Sequence, residues 1–191
     1  MKDLISKSFL AALFIAIGNY VLLKQGAPLG AFLFSLGLYS VCMFKANLFT
    51  GKCGYLFEGK IKENLKSLSI ILAFNILFGF LIGLAFSLTD PQIVESAIEK
   101  VSLMNFTLSF FIKSVMCGAI MFIAVDSFKR GSKLGILLGV PTFILCGFQH
   151  CIANIITMGI ANEIKFPELL LCIFGNLLGS LIVWYLQKDK K

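Results

Sequence analysis

Charge is scarce in this chain. Asp, Glu, Lys and Arg make up 14% of its 191 residues, where a soluble domain carries about 25%. That deficit excludes a water-soluble globule, because too few polar side chains exist to cover one, and it leaves lipid as the second solvent. Histidine is nearly absent: His150 is alone. One histidine with scattered cysteines is poor ligand material, so no metal site is expected. The six cysteines, Cys42, Cys53, Cys117, Cys146, Cys151 and Cys172, form no C-x-x-C pair. Five fall inside apolar runs, where a thiol behaves as a small hydrophobe, so neither a disulfide framework nor a zinc site is expected. No phosphate loop or nucleophile motif is present, and no cofactor is expected. The net charge of +7 would suggest nucleic acid for a soluble protein. Here the basic residues lie in short stretches between apolar runs, which points to membrane topology instead.

What is abundant is apolar sequence, at 58% of residues with a mean hydropathy of +0.92. Six stretches approach the roughly 20 residues a spanning helix needs: about 7–24, 29–51, 67–89, 106–128, 134–161 and 167–187. The first follows Lys2 and Lys7 but continues to Lys24 without a small-x-small cleavage site, so it is kept as a span. Six spans put both termini on one side with Lys2, Lys7, Lys52, Lys60, Lys62, Lys66, Lys129, Arg130, Lys133, Lys188, Lys190 and Lys191. Lys24, Lys100 and Lys165 fall on the other side, and Lys45 and Lys113 within spans. Twelve against three predicts an inner-membrane protein with cytoplasmic termini. Trp184 and Tyr185 then stand at the cytoplasmic interface.

Two spans carry polar text at depth: Lys45-Ala46-Asn47-Leu48-Phe49-Thr50-Gly51 and Gly147-Phe148-Gln149-His150-Cys151-Ile152-Ala153-Asn154. Such clusters, and irregular backbone beside them, are tolerated where they line a cavity. Phe49 and His150, like Asn75 and Asn176, stand 101 residues apart. The expectation is a single domain over 1–191, all-α, with six transmembrane helices. They form two inverted three-helix repeats, about 7–89 and 106–187, and helices 2 and 5 are broken at a midplane path.

Phe34-Ser35-Leu36-Gly37-Leu38 leading to Leu48-Phe49-Thr50-Gly51 resembles the F-x-x-G-L and L-F-T-G motifs of the formate/nitrite transporter family. The second polar segment resembles its G-F-E-H-S-x-A-N. Gly175-Asn176-Leu177-Leu178-Gly179 before Val183-Trp184-Tyr185 resembles its closing motif. The resemblance implies an aquaporin-like homopentamer with a pore in each protomer, transporting small monovalent anions such as formate, nitrite or hydrosulfide, and no enzyme activity. It implies constrictions at Phe34, Leu38, Leu48, Phe49 and Phe143. It also implies a substrate path and proton relay through His150 and Thr50, with Asn154 beside them and Lys100 as a vestibule cation. The sequence departs from the family where Asn47 and Gln149 replace acidic residues, Lys45 replaces a glycine and Gly118 replaces an asparagine.

An unperturbed histidine titrates near pH 6.5, so His150 is expected to lend a proton to an anion that cannot cross a dry constriction charged. The alternative is a structural histidine at a helix break. Phe34, Leu38, Val41, Lys45 and Leu48 step by four, three, four and three along one expected helical face, read as gates or as ordinary packing. Lys45 is read as a pore charge or as a side chain snorkelling to the interface, and Lys100 as a vestibule cation or a loop charge paired with Glu99. Competing functions are a neutral-solute channel for water, glycerol or ammonia, which lacks the paired Asn-Pro-Ala signatures here, and a membrane thiol oxidoreductase, which the cysteine spacing disfavours.

Overall fold

The computed structural model describes residues 1–188; Lys190 and Lys191, counted above among the cytoplasmic charges, lie outside the described residues. The described chain is all-helical. Four helices are long and apolar enough to cross a membrane: α1 (Lys2–Gln25), α5 (Ile61–Ser87), α7 (Leu108–Lys129) and α10 (Phe166–Gln187). Their bounds lie within about six residues of the sequence expectation, the difference arising where polar ends continue the helix past the apolar run.

The second and fifth apolar stretches are divided. The second holds α2 (Leu29–Leu33), α3 (Ser35–Met43) and α4 (Phe49–Lys52), and a 3-10 turn follows at Cys53–Tyr55. The fifth holds α8 (Leu134–Leu145) and α9 (Cys151–Ala161). The same turn ends α3 and α8. Ala46 N–H donates to the Val41 carbonyl and Lys45 N–H to that of Cys42, at 2.9 and 3.2 Å. Phe148 N–H likewise donates to Phe143 and Gly147 N–H to Ile144, at 2.9 and 3.0 Å. This closing motif puts one residue in the left-handed region. That residue is Gly147 at φ 66° in one case and Lys45 at φ 50° in the other, where a side chain costs about 1–2 kcal/mol.

Lys45 therefore does not continue the helical stripe expected from its spacing. The helix ends at Met43, and Lys45 and Leu48 lie beyond it.

Residues 91–102, expected as outer loop, form helix α6 (Pro91–Ser102). Asp90 caps it by accepting from Gln92 N–H at 2.9 Å, Pro91 occupies its first turn, and Ile93, Ala97 and Val101 make one buried stripe. That stripe packs against α9.

α7 runs along α10, and α5 runs between α1 and α9. Gly118 of α7 meets α10 so closely that a Cβ there would collide with the backbone of Asn176. An asparagine at this position would separate the two helices. Trp184 is not a free interfacial aromatic: it is buried and donates through Nε1 to Glu58 at 3.0 Å, while Tyr185 is exposed.

Candidate functional site: two broken helices around a histidine

Breaking a helix orphans backbone N–H and C=O groups, and in lipid they need protein partners. Two fully buried asparagines supply them. Asn75 Oδ1 accepts from Phe49 N–H at 2.9 Å, and its Nδ2 donates to the carbonyls of Asn47 and Ser8, both at 3.0 Å. Asn176 Oδ1 accepts from Cys151 N–H at 2.9 Å, and its Nδ2 donates to the carbonyls of Gln149 and Ser114, both at 2.8 Å. These bonds correct the register read from sequence. The counterpart of His150 is Leu48, not Phe49, because both precede the first clamped N–H and both are extended, at φ −107° and −95°. The separation is 102 residues at the break and stays 101 at the asparagines.

His150 is buried and caps α9, its Nδ1 accepting from Ala153 N–H at 3.1 Å. Hydrogen-bond accounting then assigns the neutral ring's proton to Nε2. Nε2 lies 2.9 Å from Thr50 Oγ1, itself fully buried. With Nε2–H donating, the Thr50 hydroxyl keeps its own proton to offer, and it has no acceptor among the described residues. Phe143 stacks on the His150 ring at 5.8 Å between centroids and meets Phe34 edge-on at 6.0 Å.

A cavity of about 210 Å³ opens on His150, Phe34 and Phe143; Thr50, fully buried behind the His150 ring, does not line it. Phe34, Phe143, His150, Asn154 and Lys100 line it, together with Asn19 and Thr157, two polar residues the sequence reading did not single out. Asn19 Nδ2 donates to Thr157 Oγ1 at 3.0 Å, and Asn154 Nδ2 to Gln149 Oε1 at 3.1 Å. Asn19 and Thr157 are polar residues without motif context in α1 and α9, and only their shared cavity marks them. Lys100 comes from α6 and makes no ion pair with Glu99 among the described residues. Water reaches its side chain, yet protein surrounds much of it. Burial accordingly lowers the ammonium below its usual value, and Glu99 opposes that shift.

A second cavity, about 410 Å³, is lined by Val41, Lys45, Leu48, Lys52 and Lys129 among others. Phe34 and the helix α3 that follows it link the two: Phe34 faces the first, Val41 the second, and Leu38 between them is fully buried. Seven residues of helix make about 10 Å. Leu48 is 1% exposed and Phe49 3%; Leu48 reaches the second cavity, while Phe49 lines neither. Lys113 is exposed on the outside of α7.

The structure thus brings His150, Thr50, Phe34 and Phe143 together, with Lys100 and Asn154 on one side and Leu48 and Lys45 on the other. Against known proteins, the family model for formate/nitrite transporters matches residues 1–186. A solved structure described as a pentameric formate channel with formate bound aligns over 100% of both chains at 21% identity, with a TM-score of 0.78. Another, described as an FNT family ion channel, aligns over 97% of this chain and 88% of its own at 19% identity, with a TM-score of 0.82. A search of curated proteins finds no match.

Proposed function

This chain belongs to the formate/nitrite transporter family, and we propose that it passes a small monovalent weak-acid anion, of the formate or nitrite kind, through a pore in each protomer. The path runs from the Lys100 cavity, past Phe34 and Phe143, to His150 and Thr50, then past Leu38 and Leu48 to the Lys45 cavity. The observation that carries this reading is the His150–Thr50 pair at 2.9 Å, in which His150 lines a polar cavity and Thr50 lies fully buried beyond it, toward the apolar residues Leu38 and Leu48.

In this reading the chain is one domain of six spans in two inverted repeats. The four long helices cross singly, and α2–α4 and α8–α9 form the two broken spans. Support comes from the matching turns and asparagine clamps, and from the swapped packing of α9 on α5 and of the Cys53–Tyr55 turn on α10. Five copies assemble in the inner membrane with cytoplasmic termini, as the lysine distribution favours.

The physics of passage sets the residues' roles. Moving an ion into a dry constriction costs several kcal/mol. Lys100 offsets part of that by concentrating anions in the outer cavity. Thr50 O–H, oriented by the Nε2–H of His150, meets the anion as donor. A proton bound at His150 Nδ1 must displace Ala153 N–H, so the charged ring is the less well held and passes its proton on. The neutral acid then crosses Leu38 and Leu48. No covalent bond to carbon or nitrogen changes, so this is transport and not catalysis.

The test is uptake of formate and of nitrite into proteoliposomes, from about pH 5 to pH 8, with His150→Asn beside the parent chain. Asparagine is a good N-cap and carries an amide for Thr50, but it holds no transferable proton. Uptake that rises with acidity and collapses in the variant supports the relay. Uptake unchanged in the variant leaves an anion pore with a scaffolding histidine. Absence of both anions' uptake overturns the reading and turns attention to hydrosulfide and neutral solutes.

A further inference from the structure

The two cavities differ in charge. The outer one holds a single lysine among amides. The inner one is lined by Lys45, Lys52 and Lys129 and by no carboxylate. Acids stand nearby, Glu58 sharing a neighbouring cavity with Lys52 and Lys129, but each forms its hydrogen bond or ion pair with another group. Asp126 holds Arg130 at 2.6 Å and accepts from Tyr55 at 2.9 Å. Glu58 accepts from Trp184 at 3.0 Å, and Asp3 pairs with Lys7 at 3.1 Å. Among the described residues, none of the three cavity lysines makes an ion pair. The Lys129 ammonium lies 3.2 Å from the centre of the Tyr55 ring, a contact that holds a cation without cancelling its charge.

Lys45 adds a second and independent sign. It occupies the left-handed position that Gly147 fills in the matching turn. The backbone there favours glycine, and the Lys45 side chain makes no hydrogen bond among the described residues that would offset the strain. A strained residue at such a point is an observation from which a role for its side chain is inferred. Lys45 shares the cavity with Val41 and Leu48, the inner edge of the constriction.

We infer that the inner mouth is an anion-collecting site in which Lys45, Lys52 and Lys129 concentrate the transported monovalent anion, making the pore rectify at low ionic strength. The inference rests on the anion-pore reading above. Three lysines without an ion-pair partner among the described residues, together with Lys7 and Arg130, outnumber the nearby acids, and around a low-dielectric mouth they focus a net positive field that raises the local anion concentration. Anions then leave the lysine side faster than they enter it. Screening removes the effect, since the Debye length falls from about 30 Å at 0.01 M salt to about 3 Å at 1 M.

The experiment records unitary formate currents from the full chain in excised inside-out patches, with symmetric sodium formate at about 0.01 M and about 1 M. At low salt, anion current out of the cytoplasmic face should exceed the reverse current roughly two-fold or more, and the ratio should approach one at high salt. Lys45→Gln and Lys52→Gln should each lower the ratio, and Lys45→Arg should keep it. Lys45→Gly, which gives this turn the residue its counterpart has, provides a folded uncharged variant if glutamine disturbs the turn. A wild-type ratio that salt does not change overturns the site, as does equal behaviour of the arginine, glutamine and glycine variants. Absence of any wild-type formate current overturns the pore reading itself, and the site with it.

Discussion

His150 and Thr50, 100 residues apart in sequence, meet with 2.9 Å between Nε2 and Oγ1. Because Ala153 N–H occupies Nδ1, this contact runs from the ring to the hydroxyl and leaves the threonine proton without an acceptor among the described residues. Thr50→Val keeps the shape and removes the hydroxyl. It should cost about 1–3 kcal/mol of stability by leaving Nε2–H unpaired. Formate uptake should fall by about ten-fold or more, the equivalent of roughly 1.4 kcal/mol in the barrier. Thr50→Ser should retain most of both. Proteoliposome uptake and thermal unfolding in detergent measure the two effects separately.

The asparagine clamps should dominate folding. Asn176→Leu removes one acceptor and two donor contacts from backbone groups that no water can satisfy. At about 1–3 kcal/mol for each buried group left unpaired, the loss rivals a whole domain's net stability of about 5–15 kcal/mol. The expected result is little or no monodisperse protein after extraction, and Asn75→Leu should behave alike. Recovery of either variant at wild-type yield and melting temperature would mean the breaks are held by packing alone.

Gln149 bridges the break, accepting from Asn154 at 3.1 Å and donating to the Gly147 carbonyl at 3.0 Å. Gln149→Glu keeps the acceptor, loses the donor and places a negative charge on the wall shared with His150 and Lys100. Anion uptake should drop several-fold at low salt and partly recover at high salt, as repulsion between charges is screened. Uptake assayed at two ionic strengths reads this directly; salt-independent uptake equal to wild type would remove Gln149 from the path.

Lys100 is carried by α6, and α6 is tethered through its cap. Lys24 Nζ reaches Asp90 Oδ2 at 2.6 Å and Gln92 Oε1 at 2.8 Å. The hydrogen bond from Lys24, and then that from Gln92 N–H, holds the Asp90 carboxyl below its usual value. A depressed carboxyl contributes stability above its unfolded pKa of about 3.9 and loses it as pH falls through the folded value. The α6 tether should therefore hold at neutral pH and loosen only in strong acid, whereas Asp90→Asn should loosen it throughout. Faster amide exchange in residues 91–102 of that variant, with α7 and α10 unchanged, is the expected signature.

Much of this was legible one residue at a time. Burial in lipid is a compositional property, so the four long helices and the places of the two divided stretches follow from apolar runs. The polar segments marked His150 and Thr50, the family resemblance marked Phe34 and Phe143, and the fold brings the four together. Helix α6 had a readable signal as well, in Asp90-Pro91 and the stripe of Ile93, Ala97 and Val101, which the surrounding charges obscured.

Other features depend on distant partners, and only the tertiary structure decided them. Spacing alone paired Phe49 with His150. The clamps from Asn75 and Asn176 move that pairing by one residue, because a hydrogen bond to a particular N–H sets register where a helix no longer does. Lys45 read as part of a helical stripe until the turn at Met43 released it from that periodicity. The charge of the second cavity lies in residues from two separated segments, Lys45 and Lys52 in one and Lys129 in the other. A sequence states which charges exist; the folded chain determines which acids neutralise them, because Coulomb energies depend on distance in space and not along the chain.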